Sequence, residues 1–289
     1  MMQGRKIRQV LLKLLVAAVI MVGVVGLFRW GLLPLTQWAL ALDEATISTV
    51  RRVGILLSVV LAYWVYVRFY EKRPMPELIP APLGITTGAL SGAAMIALAS
   101  LPLFAFGVYE INAVRGLDAG LLGVAGVILV AATMEELVFR GLIFQTLERA
   151  WGTVPALWLQ SLLFSVLHIA NLDSNMGVPE LVMTVISGTL IGAFWTVLFV
   201  KTRNLWVVAA NHAAWNFAVV LTGLPLSGLD DWRALAPLES QYHGPNWLSG
   251  GLVGPEDSIV TVLMVAAALA LLLLWARRDK RFLAAQVAA

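Results

Sequence analysis

The 289-residue sequence contains no cysteine, and only 13% of its residues are charged. The first absence excludes disulfides, thiolate zinc sites and cysteine nucleophiles. The second excludes a disordered chain, a nucleic-acid-binding surface and an ordinary cytosolic enzyme, because soluble domains carry about 25% charged residues. Histidine is scarce as well. His168, His212 and His243 are the full set, so any imidazole chemistry draws on these three. What fills the sequence is apolar: 60% of residues, with a mean hydropathy of +0.85. That composition predicts an all-α polytopic membrane protein, a single transmembrane domain over residues 1–289 that contacts lipid and no nucleic acid.

Eight apolar runs can be read: 10–33, 53–67, 84–108, 120–147, 154–169, 181–200, 205–221 and 259–275. The second can begin as early as Ala45. The first follows Arg5, Lys6 and Arg8, as a signal peptide would. It is too long for a signal core, and Ala39-Leu40-Ala41 lies beyond its end, so an uncleaved first span is predicted. With the N-terminus placed inside and the spans alternating, fourteen of the twenty Lys and Arg residues fall on the inner side. Arg29, Arg51, Arg52, Arg115 and Arg233 fall outside, with most of the acids, including Asp173, Glu256 and Asp257. This asymmetry predicts cytoplasmic termini in what would be a bacterial plasma membrane.

The 222–258 connection carries Pro225, Pro237, Pro245 and Pro255 and reads as an outer loop, with Trp232 and Trp247 at the interface and His243 solvated. Gly84, Gly88 and Gly92 recur every four residues, as do Gly188 and Gly192. Such ridges let helix backbones approach closely and read as packing seams.

Three charges sit where none are expected. Glu135, Glu136 and Arg140 fall inside the fourth run, where each costs about 2.5–3.5 kcal/mol on insertion scales. Glu136 and Arg140 are four apart and can pair. Glu135 is rotated by about 100° and needs another partner. Phe164 and His168 share one face of the fifth run, and His212 and Asn216 share one face of the seventh. Glu135 precedes the turn at Arg149–Thr153 by fourteen residues, and His168 follows it by fifteen, so both lie roughly 21–23 Å from it along their helices. These groups are expected to converge at mid-membrane depth. A carboxylate beside a neutral histidine can activate water. Glu136 and Arg140 would orient it, the Asn216 amide can hold an oxyanion, and His212 can donate a second bond or bind substrate. The assembly reads as peptide-bond hydrolysis inside the membrane. Ser161, Ser165 and Ser187 lie in no nucleophile elbow and read as backbone-bonded helix serines. No cofactor is favoured. Zinc stays open as an alternative through Glu135, His168 and His212, without a His-Glu-x-x-His motif to support it.

Three motifs carry a resemblance: Glu135-Glu136-Leu137-Val138-Phe139-Arg140, Phe164-Ser165-Val166-Leu167-His168 and His212-Ala213-Ala214-Trp215-Asn216. In this order they resemble the Glu-Glu-x-x-x-Arg, Phe-x-x-x-His and His-x-x-x-Asn motifs of the CAAX protease and bacteriocin-processing family (CPBP, also called Abi). The resemblance covers a catalytic core over 120–221. It implies an intramembrane endopeptidase acting on a membrane-associated peptide or protein. It also implies that Glu135 and His168 activate water, that His212 and Asn216 hold the oxyanion, and that Glu136 and Arg140 have structural or tuning roles. A glutamate-dependent mechanism is favoured over a metalloprotease. The prenylated substrates of the eukaryotic members are not transferred. Two other readings compete: a non-catalytic membrane scaffold or chaperone, and a proton-coupled transporter. The second is weakened by the absence of an internal repeat.

Overall fold

The computed structural model describes residues 2–172 and 176–284. Among the described residues, eight helices are long and apolar enough to cross a membrane: α1 (Gly4–Leu40), α2 (Glu44–Glu71), α3 (Pro82–Ala105), α4 (Gly120–Trp151), α5 (Thr153–Asn171), α6 (Val178–Thr202), α7 (Leu205–Thr222) and α8 (Ile259–Arg278). Each apolar run falls in one of them, and the protein is an integral multi-pass membrane protein. Large apolar side chains such as Leu11, Leu15, Leu122, Leu263 and Leu271 point outward, as a lipid-facing surface requires.

Local chemistry sets the helix ends. Asp43 Oδ1 accepts the Thr46 N–H at the start of α2 (3.0 Å), and Asn204 Oδ1 accepts the Val207 N–H at the start of α7 (3.2 Å). Pro82 and Pro179 sit in the first turns of α3 and α6, where a missing N–H costs nothing. Gly152, at φ +84°, makes the sharp turn between α4 and α5 that a side chain would strain.

The glycine ridges are packing seams. A Cβ on Gly92 would lie 2.1 Å from the Asn211 carbonyl oxygen, and one on Gly88 would lie 2.6 Å from that of Val207, so α3 and α7 touch backbone to backbone. Asn211 locks this seam: Nδ2 donates to Gly88 O and Ser91 Oγ, both at 3.0 Å, and Oδ1 accepts the Trp195 indole N–H at 2.9 Å. Gly188 and Gly192 seat α6 on Ser165, Ser161 and Phe164 of α5 in the same way.

The two ends of the bundle differ. At the end carrying both termini, each acid is paired: Glu71 with Arg73 and Arg149, Glu77 with Arg73, Glu148 with Arg203, and Asp279 with Lys201. At the other end the helical fold gains a two-stranded antiparallel ribbon, β1 (Tyr109–Val114) with β2 (Leu238–Tyr242), from segments that lie between the apolar runs. The rest of the 222–258 connection is also organised, with a helical turn Asn246–Ser249 and a 3-10 turn Pro255–Asp257. Trp232 packs against the core instead of projecting to the interface, whereas Trp247 is exposed. His243 is half exposed and lies 3.1 Å from Glu110. Asp173 lies outside the described residues.

The seam gives a direct test. Gly92→Ala is expected to lower the thermal unfolding temperature in detergent, with an overpacking cost of about 1–3 kcal/mol. Gly126→Ala, whose Cβ meets only the flexible Arg52 side chain at 3.9 Å, should leave it unchanged or slightly higher.

Candidate active site

Within α4 the backbone changes from α-helix to π-helix directly after Glu136, over Leu137–Phe144. Among the described residues the chain has two further π-helical segments, Leu27–Leu32 and Tyr66–Glu71, so this one is read as a local widening of the helix and not by itself as a mark of function. Glu135 and Glu136 stand at this junction with different surroundings. Glu136 is fully buried, and its Oε1 accepts from Arg140 Nη1 and from His212 Nδ1, both at 2.9 Å. Arg140, also fully buried, donates further to Gly192 O (2.9 Å) and Thr196 Oγ1 (3.3 Å) of α6, and its guanidinium lies 5.0 Å from the Phe164 ring centre and 5.7 Å from that of Trp195. Thr196 in turn donates to Gln160 of α5.

Glu135 is 32% exposed and points to the other side. Its Oε2 lies 3.8 Å from His168 Nε2 and 3.8 Å from His212 Nε2, and it has no protein hydrogen bond. The histidine tautomers follow from their other nitrogens. His168 Nδ1 sits 2.8 Å from the Phe164 carbonyl, an acceptor, so Nδ1 carries the proton and Nε2 offers its lone pair toward Glu135. His212 Nδ1 likewise faces a carboxylate and carries its proton. Rings hold both imidazoles: Phe164 lies 4.2 Å from His168, and Trp195 stacks on His212 at 3.7 Å. Asn216 lines the same space, and its buried Oδ1 makes no protein hydrogen bond. All the residues singled out in the sequence, Glu135, Glu136, Arg140, Phe164, His168, His212 and Asn216, therefore meet at one place.

Glu135, Phe164, His168, His212 and Asn216 line a cavity of about 130 Å³, walled largely by apolar side chains such as Val127, Ile128 and Ile191, and Glu136 and Arg140 are buried behind it. Two carboxylates read in the sequence as ordinary outer-loop acids form part of its wall. Glu256 is buried and accepts from Trp215 Nε1 (3.0 Å) and Ser227 Oγ (2.5 Å). Asp257 is buried and accepts from the Thr184 and Ser187 hydroxyls of α6. Burial pushes its carboxyl up to about 6 against the pull of those two hydroxyls. Ser187 is thus more than a backbone-bonded helix serine. Ser161 bonds Leu157 O of its own helix, and Ser165 reaches Thr184 O and Val185 O on α6. Trp195 and Asn211 were also missed, since one tryptophan among eleven and one asparagine in an apolar helix carry no motif.

Zinc needs ligand contacts near 2.0–2.2 Å from each donor. Among the described residues no group of three His, Asp or Glu side chains is arranged to hold a metal ion. The Glu135, His168 and His212 set does not fit zinc as placed.

The bundle and its site define a helical membrane protein with a solvent-reached glutamate–histidine pair beside a buried glutamate–arginine pair. Residues 117–218, which contain all three motifs, match the family model described as Rce1-like, type II CAAX prenyl endopeptidase, and this stretch of the chain is similar to that family. No match to a curated protein is found.

Two outcomes are expected. Arg140→Met leaves Glu136 buried with one cation removed and should destabilise the protein by about 3–5 kcal/mol, read by thermal unfolding in detergent. For Asp257 the folded value lies above the ordinary one of 3.8, so the folded state holds a proton that the unfolded chain has released. Its contribution is present below about pH 4 and is lost as pH rises through about 6. The difference in unfolding temperature between the native protein and Asp257→Asn should therefore shift in favour of the variant between pH 4 and pH 7. A flat difference would count against it.

Proposed function

We propose that the protein is an intramembrane endopeptidase that hydrolyses a peptide bond with water activated by Glu135 and His168. The carrying observation is that Nε2 of His168 and Nε2 of His212 both stand 3.8 Å from an unpartnered Glu135 oxygen. Each gap is too long for a direct hydrogen bond and is of the kind one bridging water spans. Such a water donates one proton to Glu135 and the other to His168, leaving an oxygen lone pair free for attack.

The reaction follows from these roles. Glu135 takes a proton as the water oxygen bonds to the scissile carbonyl carbon. The resulting oxyanion is held by the Asn216 amide N–H group, with His212 lining the same wall. The proton on Glu135 passes to the amide nitrogen, the C–N bond breaks, and the remaining hydroxyl proton passes by way of His168 to solvent, so that a carboxylate and an amine leave. Glu136 holds the His212 ring in place, and Arg140 fixes Glu136 through its Nη1 hydrogen bond. The membrane supplies what a water-filled cleft would not, a low-dielectric surround in which these dipoles act strongly. The substrate on this reading is a membrane-associated peptide or protein segment.

The test uses the purified protein in detergent with a library of membrane-anchored peptides. Glu135→Gln and His168→Ala should each lose about 10²–10⁴ in kcat with unchanged unfolding temperature. Asn216→Ala should lose about 10²–10³. Full activity in Glu135→Gln would remove Glu135 as the base. Loss on chelation, reversed by zinc, would favour the metal route. Peptide binding without cleavage would favour a scaffold.

A further inference from the structure

We infer that the catalytic cavity opens on the face of the membrane opposite the cytoplasm, so that this protease acts on peptide segments delivered from outside. The inference rests on the proteolytic reading of the site for its function, but the orientation is argued from charge and from the cavity walls alone.

The bundle separates its charges by end. The turns 66–81, 148–153 and 201–204 and the segment after α8 are tied into one basic layer with the N-terminus of α1. Arg149 meets Glu71, Arg203 meets Glu148 and the Arg281 carbonyl, and Leu283 N bonds Thr153 Oγ1 at 2.8 Å. Among the described residues, fourteen basic residues against four acids lie on this side, and five against ten lie on the other. A surplus of Lys and Arg in short connections marks the cytoplasmic side.

The cavity has no wall in that layer. Its non-helical walls are Leu226, Leu229, Trp232, Val253, Glu256 and Asp257, all from the opposite end. Toward the basic end the site is closed. Arg140, Gln160 and Thr196 fill the next turn of α4, α5 and α6 with no exposed surface, and Phe144 and Phe199 meet edge to face beyond them at 6.0 Å. Exposure rises the other way: Glu136 0%, His212 3%, Glu135 32%, then Ala131 and Leu229 exposed at the mouth. Solvent and peptide therefore reach Glu135 from the outer end.

The walls also narrow the substrate's chemistry. Glu135, Glu256 and Asp257 line the cavity, and no lysine or arginine does. With no cation to receive a free carboxyl terminus, the site suits a neutral or basic segment of an exported or membrane-anchored peptide.

Because the native chain has no cysteine, it is a ready background for single-cysteine labelling. Ala131→Cys, one turn from Glu135 on the same face, and Leu229→Cys report the cavity, and Arg278→Cys reports the basic end. Intact bacterial spheroplasts are treated with a membrane-impermeant maleimide. Ala131→Cys and Leu229→Cys should label at once, and Arg278→Cys should label only after permeabilisation. Labelling of Arg278→Cys in intact spheroplasts, or of the cavity positions only after permeabilisation, would overturn the orientation whatever the activity. A second measurement adds acyl-anchored peptides with neutral or lysine-bearing flanks to the outside of right-side-out and inverted vesicles. Cleavage at least tenfold faster in the right-side-out form supports the proposal, and faster cleavage in the inverted form refutes it. Cleavage in neither, with outside labelling intact, would leave the orientation standing and sink the protease reading.

Discussion

The arrangement depends on one buried carboxylate. Glu136 Oε1 receives the Arg140 guanidinium and the His212 imidazole, each at 2.9 Å, with no solvent exposure on either acid or arginine. Desolvating such a pair is costly, and the Coulomb attraction alone does not repay it. The structure compensates by spreading Arg140 over several partners: the Gly192 carbonyl, Thr196, and the faces of Phe164 and Trp195. Because those partners lie on α5 and α6 while His212 lies on α7, a single charge pair draws four helices to a common point. It also sets which nitrogen of His212 bears a proton, and so what the ring presents to the cavity.

Close backbone packing makes that convergence available. Gly192 admits the Phe164 side chain and exposes the carbonyl that Arg140 uses, and Gly88 and Gly92 bring α3 against Asn211. Asn211 then holds Trp195, and Trp195 stacks on His212. The chain of contacts runs from a glycine seam at the lipid-facing helices to the imidazole beside Glu135. A side chain at Gly92 would act on the site through that path without touching it.

The sequence exposes some of this and hides the rest for physical reasons. The spans are legible because a bilayer demands about 20 apolar residues per helix. The cluster is legible because ionised groups in such runs are costly, and helical spacing plus depth from a shared turn bound where they can meet. Glu256 and Asp257 are not legible. In a loop rich in proline and glycine, without period or depth, they look like any outer-side acids until the fold turns them inward under α6. The β1–β2 ribbon is hidden for a similar reason: its paired residues Val114 and Leu238 lie 124 positions apart (238 − 114), and no local signal pairs them. Trp195 and Thr196 are concealed by being ordinary residues in an apolar helix whose partners come from elsewhere.

The adjacent glutamates show how one helix can assign opposite work to identical side chains. A rotation of about 100° separates them. It turns Glu136 toward Arg140 and full burial, where it is neutralised and held. It turns Glu135 toward the cavity, where one oxygen has two imidazoles within 3.8 Å and no protein donor to satisfy it. Glu136 Oε1 is held by two donors, whereas Glu135 faces the cavity with no donor on its Oε2. The π-helical turn that begins at Leu137 follows this junction, so the widened backbone lies where the inner charge must be packed among three neighbouring helices. On the proposed reading, the division of labour between base and support follows from which way each residue faces, and the Arg140 side decides it.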